Sequence, residues 1–229
     1  MTSLPSESSV PVDADAADAS APAAEADAAS TGRKRPRPGE RRVQILQALA
    51  TMLEQPGAER VTTAALAARL EVSEAALYRH FASKAQMFEG LIEFIEQSVF
   101  GLIGQLAERE ADPLVRCRKL VGLLLQFGEK NPGMTRVMVG DALVFENERL
   151  QQRMNLFFDK IESALRQDLR EAAAAAGAAT PTVDAQGDAS VITAFCVGRL
   201  QRFARSGFRR SPGEGLEHAL ALLLPGARP

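Results

Sequence analysis

Tryptophan is absent from this chain, tyrosine occurs once, and runs of β-branched residues are few beside abundant alanine and leucine. Little is left to build a sheet, and helices are favoured. No apolar stretch approaches the roughly 20 uncharged residues of a membrane span. The N-terminus lacks the basic-then-apolar order of a secretory signal, so the sequence predicts a cytoplasmic protein without membrane association. The two cysteines, Cys117 and Cys196, stand among apolar residues with neither a CxxC spacing nor a histidine neighbour, which predicts buried structural thiols. The two histidines, His80 and His218, lie far apart without the carboxylate or cysteine neighbours of a metal site or a nucleophile–base pair. A glycine-rich phosphate loop is also missing. The expectation is therefore no catalysis, no cofactor and no metal.

Charge is unevenly placed. Residues 1–32 hold six acids (Glu7, Asp13, Asp15, Asp18, Glu25, Asp27) and no lysine or arginine. With those six of the 29 acids set aside, 23 face 27 basic residues, and the rest of the chain carries a balance of +4. The Ala/Ser-rich acidic extension 1–32 has no periodicity and reads as disordered. A basic segment follows at 33–42, with Arg33, Lys34, Arg35, Arg37, Arg41 and Arg42. It reads either as an arm that engages DNA phosphates or the minor groove, or as a solubilising tail; its place just before the first helix favours the arm.

The segment TTAALAARLEVSEAALYRHF, residues 62–81, spells two short helices around a tight corner. Leu66, Ala67 and Leu70 repeat at helical spacing, Glu71 and Val72 make the corner, and Ser73 can cap the second helix. That second helix carries small residues (Ala75, Ala76) on an exposed face and ends in Tyr78, Arg79 and His80, with Lys84 just beyond. A helical hairpin of an ordinary bundle is the plainer reading, but this pattern suits a helix-turn-helix whose second helix enters the major groove. The expected DNA-contacting residues are Thr62 and Thr63 as cap and phosphate contacts, Ser73, Glu74, Ala75 and Ala76 toward base edges, and Tyr78, Arg79, His80 and Lys84 on the backbone, joined by Arg41 and Arg42.

Beyond this motif the chain reads as further helices. One apolar face, Leu46, Leu49, Ala50 and Leu53, marks a first helix closed by PGAER. Ser83, supported by Gln86, starts a long linking helix. Pro113 to about Phe127 reads as a core helix, Asn131-Pro132-Gly133 as a turn, the stretch from Asp141 as one long amphipathic helix, and GAATPTVDAQG as a loop. Two final helices have apolar faces larger than one core requires, with Ala194 and Gly198 permitting close approach. Self-association through Phe195, Gly198, Leu200, Phe203 and Leu220 is expected, with a monomeric bundle cap as the plainer alternative and Phe195 and Leu200 readable as either core or interface.

The run VTTAALAARLEVSEAALYRHFASKAQMF resembles the DNA-binding domain of TetR-type regulators. Together with LIEFIEQS, LLLQFGEKNPGMTRVMVGDALVFENERLQQRMNLFFDKIE and AFCVGRLQRFARSGF, the resemblance runs from Arg41 to Leu224 and is sharpest to SlmA-type nucleoid occlusion factors. It implies an all-α fold of about nine helices: a three-helix DNA-binding domain over 41–88 and a helical regulatory and dimerisation domain over 89–229. It further implies a homodimer on palindromic double-stranded DNA, with one or several dimers per site. Such a dimer, associated with the nucleoid, would bind the tail of the division protein FtsZ and block septum formation. Carried over position by position, the tail-binding groove would use Phe94, Leu123, Lys130 and Asn131, an apolar slot with a cation at its mouth. Phe94 and Leu123 read equally as core residues. Leu102 and Gln126 stand where the family carries arginine and glycine, and Glu71 where glycine is usual. The competing function is a ligand-responsive TetR-type repressor. The Leu, Val, Ala and Met character of the second domain, poor in aromatic and polar pocket groups, weighs against it.

Overall fold

The computed structural model describes residues 39–55 and 61–224, so the basic segment before Gly39 and the PGAER corner lie outside the described residues. Nine α-helices occur among the described residues, without a strand. They are α1 (Glu40–Leu53), α2 (Thr63–Arg69), α3 (Glu74–Tyr78), α4 (Lys84–Arg109), α5 (Pro113–Lys130), α6 (Pro132–Met138), α7 (Glu148–Ala175), α8 (Pro181–Arg205) and α9 (Leu216–Leu223). Helix starts follow their capping residues: Thr62, Ser73, Ser83, Asp112 and Asn147 each accept a backbone N–H from the first turn. Gln86 reaches back as expected, though its Oε1 takes the N–H of Ala82 rather than that of Ser83, at 2.8 Å.

α1 to α3 form a small cluster around Ile45, Leu49, Leu53, Leu66, Leu77 and Phe81, all buried. α4, 26 residues and about 39 Å long at 1.5 Å per residue, leaves this cluster and continues into the larger bundle. The expected domain boundary at 88–89 thus falls inside a helix. In the bundle α7 packs along α8, α5 lies against both, and α4 crosses α5 and α7. Arg116 of α5 ties to α7, donating to Asp168 Oδ1 at 2.7 Å and pairing with Glu171. Arg153 of α7 forks onto Glu96 of α4. Burial pushes the Asp168 carboxyl up, and the Arg116 hydrogen bond only partly opposes it.

Three expectations about elements are corrected. Asn131-Pro132-Gly133 is not a free turn but the junction of α5 and α6, with Pro132 at the first position of α6, where a missing N–H costs nothing. The long helix begins at Glu148, not Asp141, because Gly140 is left-handed (φ 84°), residues 141–143 form a 3-10 turn, and Asn147 caps the new helix. Residues 181–187 are the first two turns of α8 rather than loop, again started by a proline at its first position.

α6 also joins the two parts of the molecule. A Cβ on Gly133 would stand 2.0 Å from the Ala50 carbonyl oxygen of α1, a backbone approach that only glycine allows. Gly128 plays a similar part where α5 meets α8: a Cβ there would lie 2.4 Å from Leu200 Cδ2.

Candidate nucleic-acid and partner interfaces

The helix-turn-helix is built from two Ser/Thr-capped helices and a strained corner. Thr62 Oγ1 accepts from Ala65 N at 3.2 Å and Ser73 Oγ from Ala76 N at 3.3 Å. Between them α2 ends in a Schellman arrangement, in which Glu71 N–H donates to Ala68 O and Val72 N–H to Ala67 O. Glu71 takes the left-handed position itself, with φ 54°, so the corner accepts strain where glycine would have none. Thr63, expected beside Thr62 as a cap, sits inside α2, and its hydroxyl donates to Glu74 Oε2 at 2.6 Å. That bond fixes the start of the recognition helix α3 to α2. Leu77 anchors α3 in the core while Glu74, Ala75, Tyr78, Arg79 and His80 are exposed and Ala76 half-buried.

Three of the expected basic contacts are already engaged within the chain. Arg42 Nη1 donates to the His80 carbonyl at 3.1 Å and its guanidinium lies 4.1 Å from the centre of the Phe81 ring, so it braces α1 against the end of α3. Arg41 donates to Gln44 on the surface of α1. Lys84, at the start of α4, pairs with Glu146 from the loop before α7 and lies 5.7 Å from the Phe88 ring centre. Glu146 was not legible in the sequence: it lies 62 residues from Lys84, and no local pattern announces such a pair.

Further along α4, Phe94 is 48% exposed and Leu102, two turns on, 43% exposed. The core alternative for Phe94 therefore fails, because its helix turns it outward while Leu91, Ile92 and Ile95 fill the interior. The three residues 110–112 return the chain antiparallel into α5. There Leu123 is half-buried, Gln126 and Lys130 are exposed, and Asn131 donates from Nδ2 to the Phe127 carbonyl at 2.8 Å. Between the helices lies an open cleft of about 520 Å³ lined by Leu102, Lys119, Leu123, Gln126, Glu129 and Leu216 among others. Leu123 lines this cleft and Phe94, Lys130 and Asn131 do not, so the structure does not bring the four expected residues into one pocket.

Residues 45–91 match the model for bacterial regulatory proteins of the tetR family, and residues 111–225 match the SlmA-like type of the tetracyclin repressor-like C-terminal domain. Over 193 residues the chain is 51% identical to the nucleoid occlusion factor SlmA of Aliivibrio fischeri (strain MJ11), covering 82% of this chain and 96% of that relative. Over 184 residues it is 52% identical to SlmA of Vibrio cholerae, covering 80% and 93%. The chain belongs to the SlmA family of nucleoid occlusion factors. Among solved structures, its fold is similar to the fatty acid degradation regulator FadR from Bacillus halodurans (TM-score 0.67, 15% identity, covering 85% of this chain and 99% of that one). It is also similar to FadR from Bacillus subtilis in complex with stearoyl-CoA (TM-score 0.64, 16% identity, covering 80% and 98%). At such identities the likeness speaks to the fold alone.

TetR-family regulators bind DNA and are dimers, which directs attention to the last two helices of this SlmA-family chain. Of the side chains expected at a subunit interface, Leu200 is 0% exposed, packed against Gly128 of its own chain, and Phe203 and Leu220 are buried as well. These three belong to the protomer's core and have no surface to offer a partner. Phe195 and Gly198 are half-buried. With Gly187, Ala194 and Val191, the last 56% exposed, they form one stripe along α8, and Leu222 of α9 is 59% exposed. Steps of three and four residues from 187 to 198 were the available signal for this face. Cys117 and Cys196 are both buried, and desolvation pushes each thiol up to about 12. Among the described residues no helix is long and apolar enough to cross a membrane.

Proposed function

We propose that the chain acts as a homodimer on palindromic chromosomal sites and, once bound, antagonises FtsZ polymerisation so that septa do not form over the nucleoid. The helix-turn-helix would read the site through Ser73 to Ala76, with Tyr78 and His80 gripping phosphates and Thr62 presenting the α2 N-terminus. Lys84 joins them by exchanging Glu146 for a phosphate. The acidic tail of FtsZ would lie along the α4–α5 groove, its apolar side chains against Phe94 and Leu123 and its carboxylates toward Lys130 and Asn131. The observation that carries this reading is the outward Phe94: a half-exposed aromatic on a long helix whose neighbours Leu91, Ile92 and Ile95 already fill the core is free to meet a partner. The far end of the groove, at Leu102 and Gln126, also carries Lys119 and Glu129, so contact there would be mixed apolar and polar.

The test is FtsZ polymer sedimentation with and without a cognate palindromic duplex. DNA-dependent loss of pelleted polymer is expected for the wild type, and Lys130→Glu is expected to abolish it without changing DNA affinity. A Lys130→Glu protein that still disassembles polymers at wild-type concentrations overturns the groove assignment.

A further inference from the structure

The end of α8 carries positive charge that neither interface uses. Arg202 and Arg205 lie in its last turn, and Arg209 and Arg210 follow just beyond its cap. All four are exposed, and among the described residues none is paired with a carboxylate. Of the acids that follow in the chain, Glu217 is held by Arg118 at 3.6 Å, and Glu214 meets Arg199 through its carbonyl. Arg136 of α6 adds a further cation: its guanidinium lies 5.2 Å from the centre of the Phe208 ring, and its buried Nε has no hydrogen-bond partner.

The backbone that presents these arginines is fixed. Gly207 N–H donates to Ala204 O and Phe208 N–H to Phe203 O, closing α8 in a Schellman arrangement. Gly207 and Phe208 are both left-handed, with φ 63° and 64°. For phenylalanine that conformation is strained, and it persists because the ring packs edge-on to Phe203 at 5.2 Å and carries Arg136. The Ser206 hydroxyl donates to Phe203 O at 2.8 Å and accepts from the N–H of Arg209 (3.1 Å) and of Arg210 (3.0 Å). One hydroxyl thus uses its full donor and acceptor capacity to set where two consecutive arginines leave the fold.

The cluster also has a defined place. Phe208 seats it on Arg136, Arg136 is one turn from Gly133, and Gly133 backs directly onto α1, whose Arg42 braces the end of α3. It therefore stands at the end of the helical bundle where α6 packs on α1. We propose that Arg205, Arg209 and Arg210 form a second contact surface for the phosphate backbone of double-stranded DNA. Guanidinium groups match phosphate oxygens in paired hydrogen bonds. Such contacts carry no base information, so the surface adds affinity and orientation rather than sequence choice. The inference rests on the DNA-binding reading of the helix-turn-helix.

The test measures binding to a duplex of about 30 base pairs carrying the site, and to a scrambled one, at several salt concentrations. The triple variant Arg205→Gln, Arg209→Gln, Arg210→Gln is expected to weaken both about equally, tenfold or more, and to flatten the salt slope by about five units for a dimer, which loses two copies of each contact. The double variant Arg205→Gln, Arg210→Gln leaves the Arg209 Nε bond to Ser206 O in place and is expected to flatten it by about three to four. Circular dichroism and sedimentation should show both variants folded and dimeric. Unchanged affinity and slope in the double variant, with wild-type binding intact, overturn the proposal and leave the helix-turn-helix reading standing. Normal DNA binding with lost FtsZ antagonism also overturns it, assigning the surface to an acidic protein. If the wild type binds no duplex, the DNA-binding reading itself falls, and the second surface with it.

Discussion

At the DNA-facing end, individual side chains are held by partners that DNA would have to displace. Lys84 is the clearest case. If it meets a phosphate only by leaving Glu146, then Glu146→Gln should tighten binding to any duplex by about two- to tenfold, the range of one surface charge contact. Titration at fixed salt checks this; weaker binding in the variant would mean that Glu146 orients Lys84 for DNA instead of competing for it. Glu71 offers a second case. Its left-handed backbone costs free energy that glycine would not, so Glu71→Gly should raise stability by about 0.5–1 kcal/mol, read from the urea midpoint. A lower midpoint would show that the contacts of the Glu71 side chain outweigh the strain. The two thiols, with their raised pKa values of about 12, should resist alkylation near neutral pH until the chain unfolds.

The helices divide into those that announce themselves locally and those that do not. α1, α2, α4 and α5 were legible because their apolar spacing and caps agree with their tertiary packing. α6 was not: a seven-residue helix has too few turns to show a period, and the Asn-Pro-Gly that opens it reads more simply as a turn. The start of α8 was hidden for a related reason, since Thr, Pro, Gly and Asp there imitate a loop until Pro181 is recognised as a first-turn proline. At α7 the error ran the other way, because Leu143 keeps helical step with Leu150 although Gly140 and Asn147 divide the segment. The α1–α6 joint gives a sharp test. Gly133→Ala would drive a Cβ against a backbone carbonyl that has no rotamer to yield, and should cost about 1–3 kcal/mol and reduce DNA affinity. Denaturation and DNA titration check it; an unperturbed Gly133→Ala protein would show that α1 and α6 separate freely.

For the assembled molecule, the sequence carried the fold and the DNA-reading segment because both are written in local patterns. It did not distinguish the buried from the outward side chains of α8, because Leu200 and Phe195 are alike in chemistry and differ only in which way α8 is turned by the helices packed on it. That difference is measurable. Val191→Asp and Phe195→Asp should yield folded monomers that no longer bind a palindrome, whereas Leu200→Asp, which buries a charge in the protomer core, should lose its native fold. Sedimentation separates the outcomes, and an intact dimer for both surface variants would place the interface elsewhere.

The Lys84–Glu146 pair also bears on how any such titration is interpreted. A lysine that reaches DNA from solution releases one condensed cation from the phosphate, and the salt dependence counts that release. A lysine that arrives from a carboxylate leaves behind a bare anion, which takes up a cation in turn. The net exchange is close to nothing, so the contact exists and stabilises the complex but hardly registers in the slope. If Lys84 meets DNA in this way, counting phosphates from salt dependence would miss one contact per protomer, and neutralising Glu146 would bring it into view.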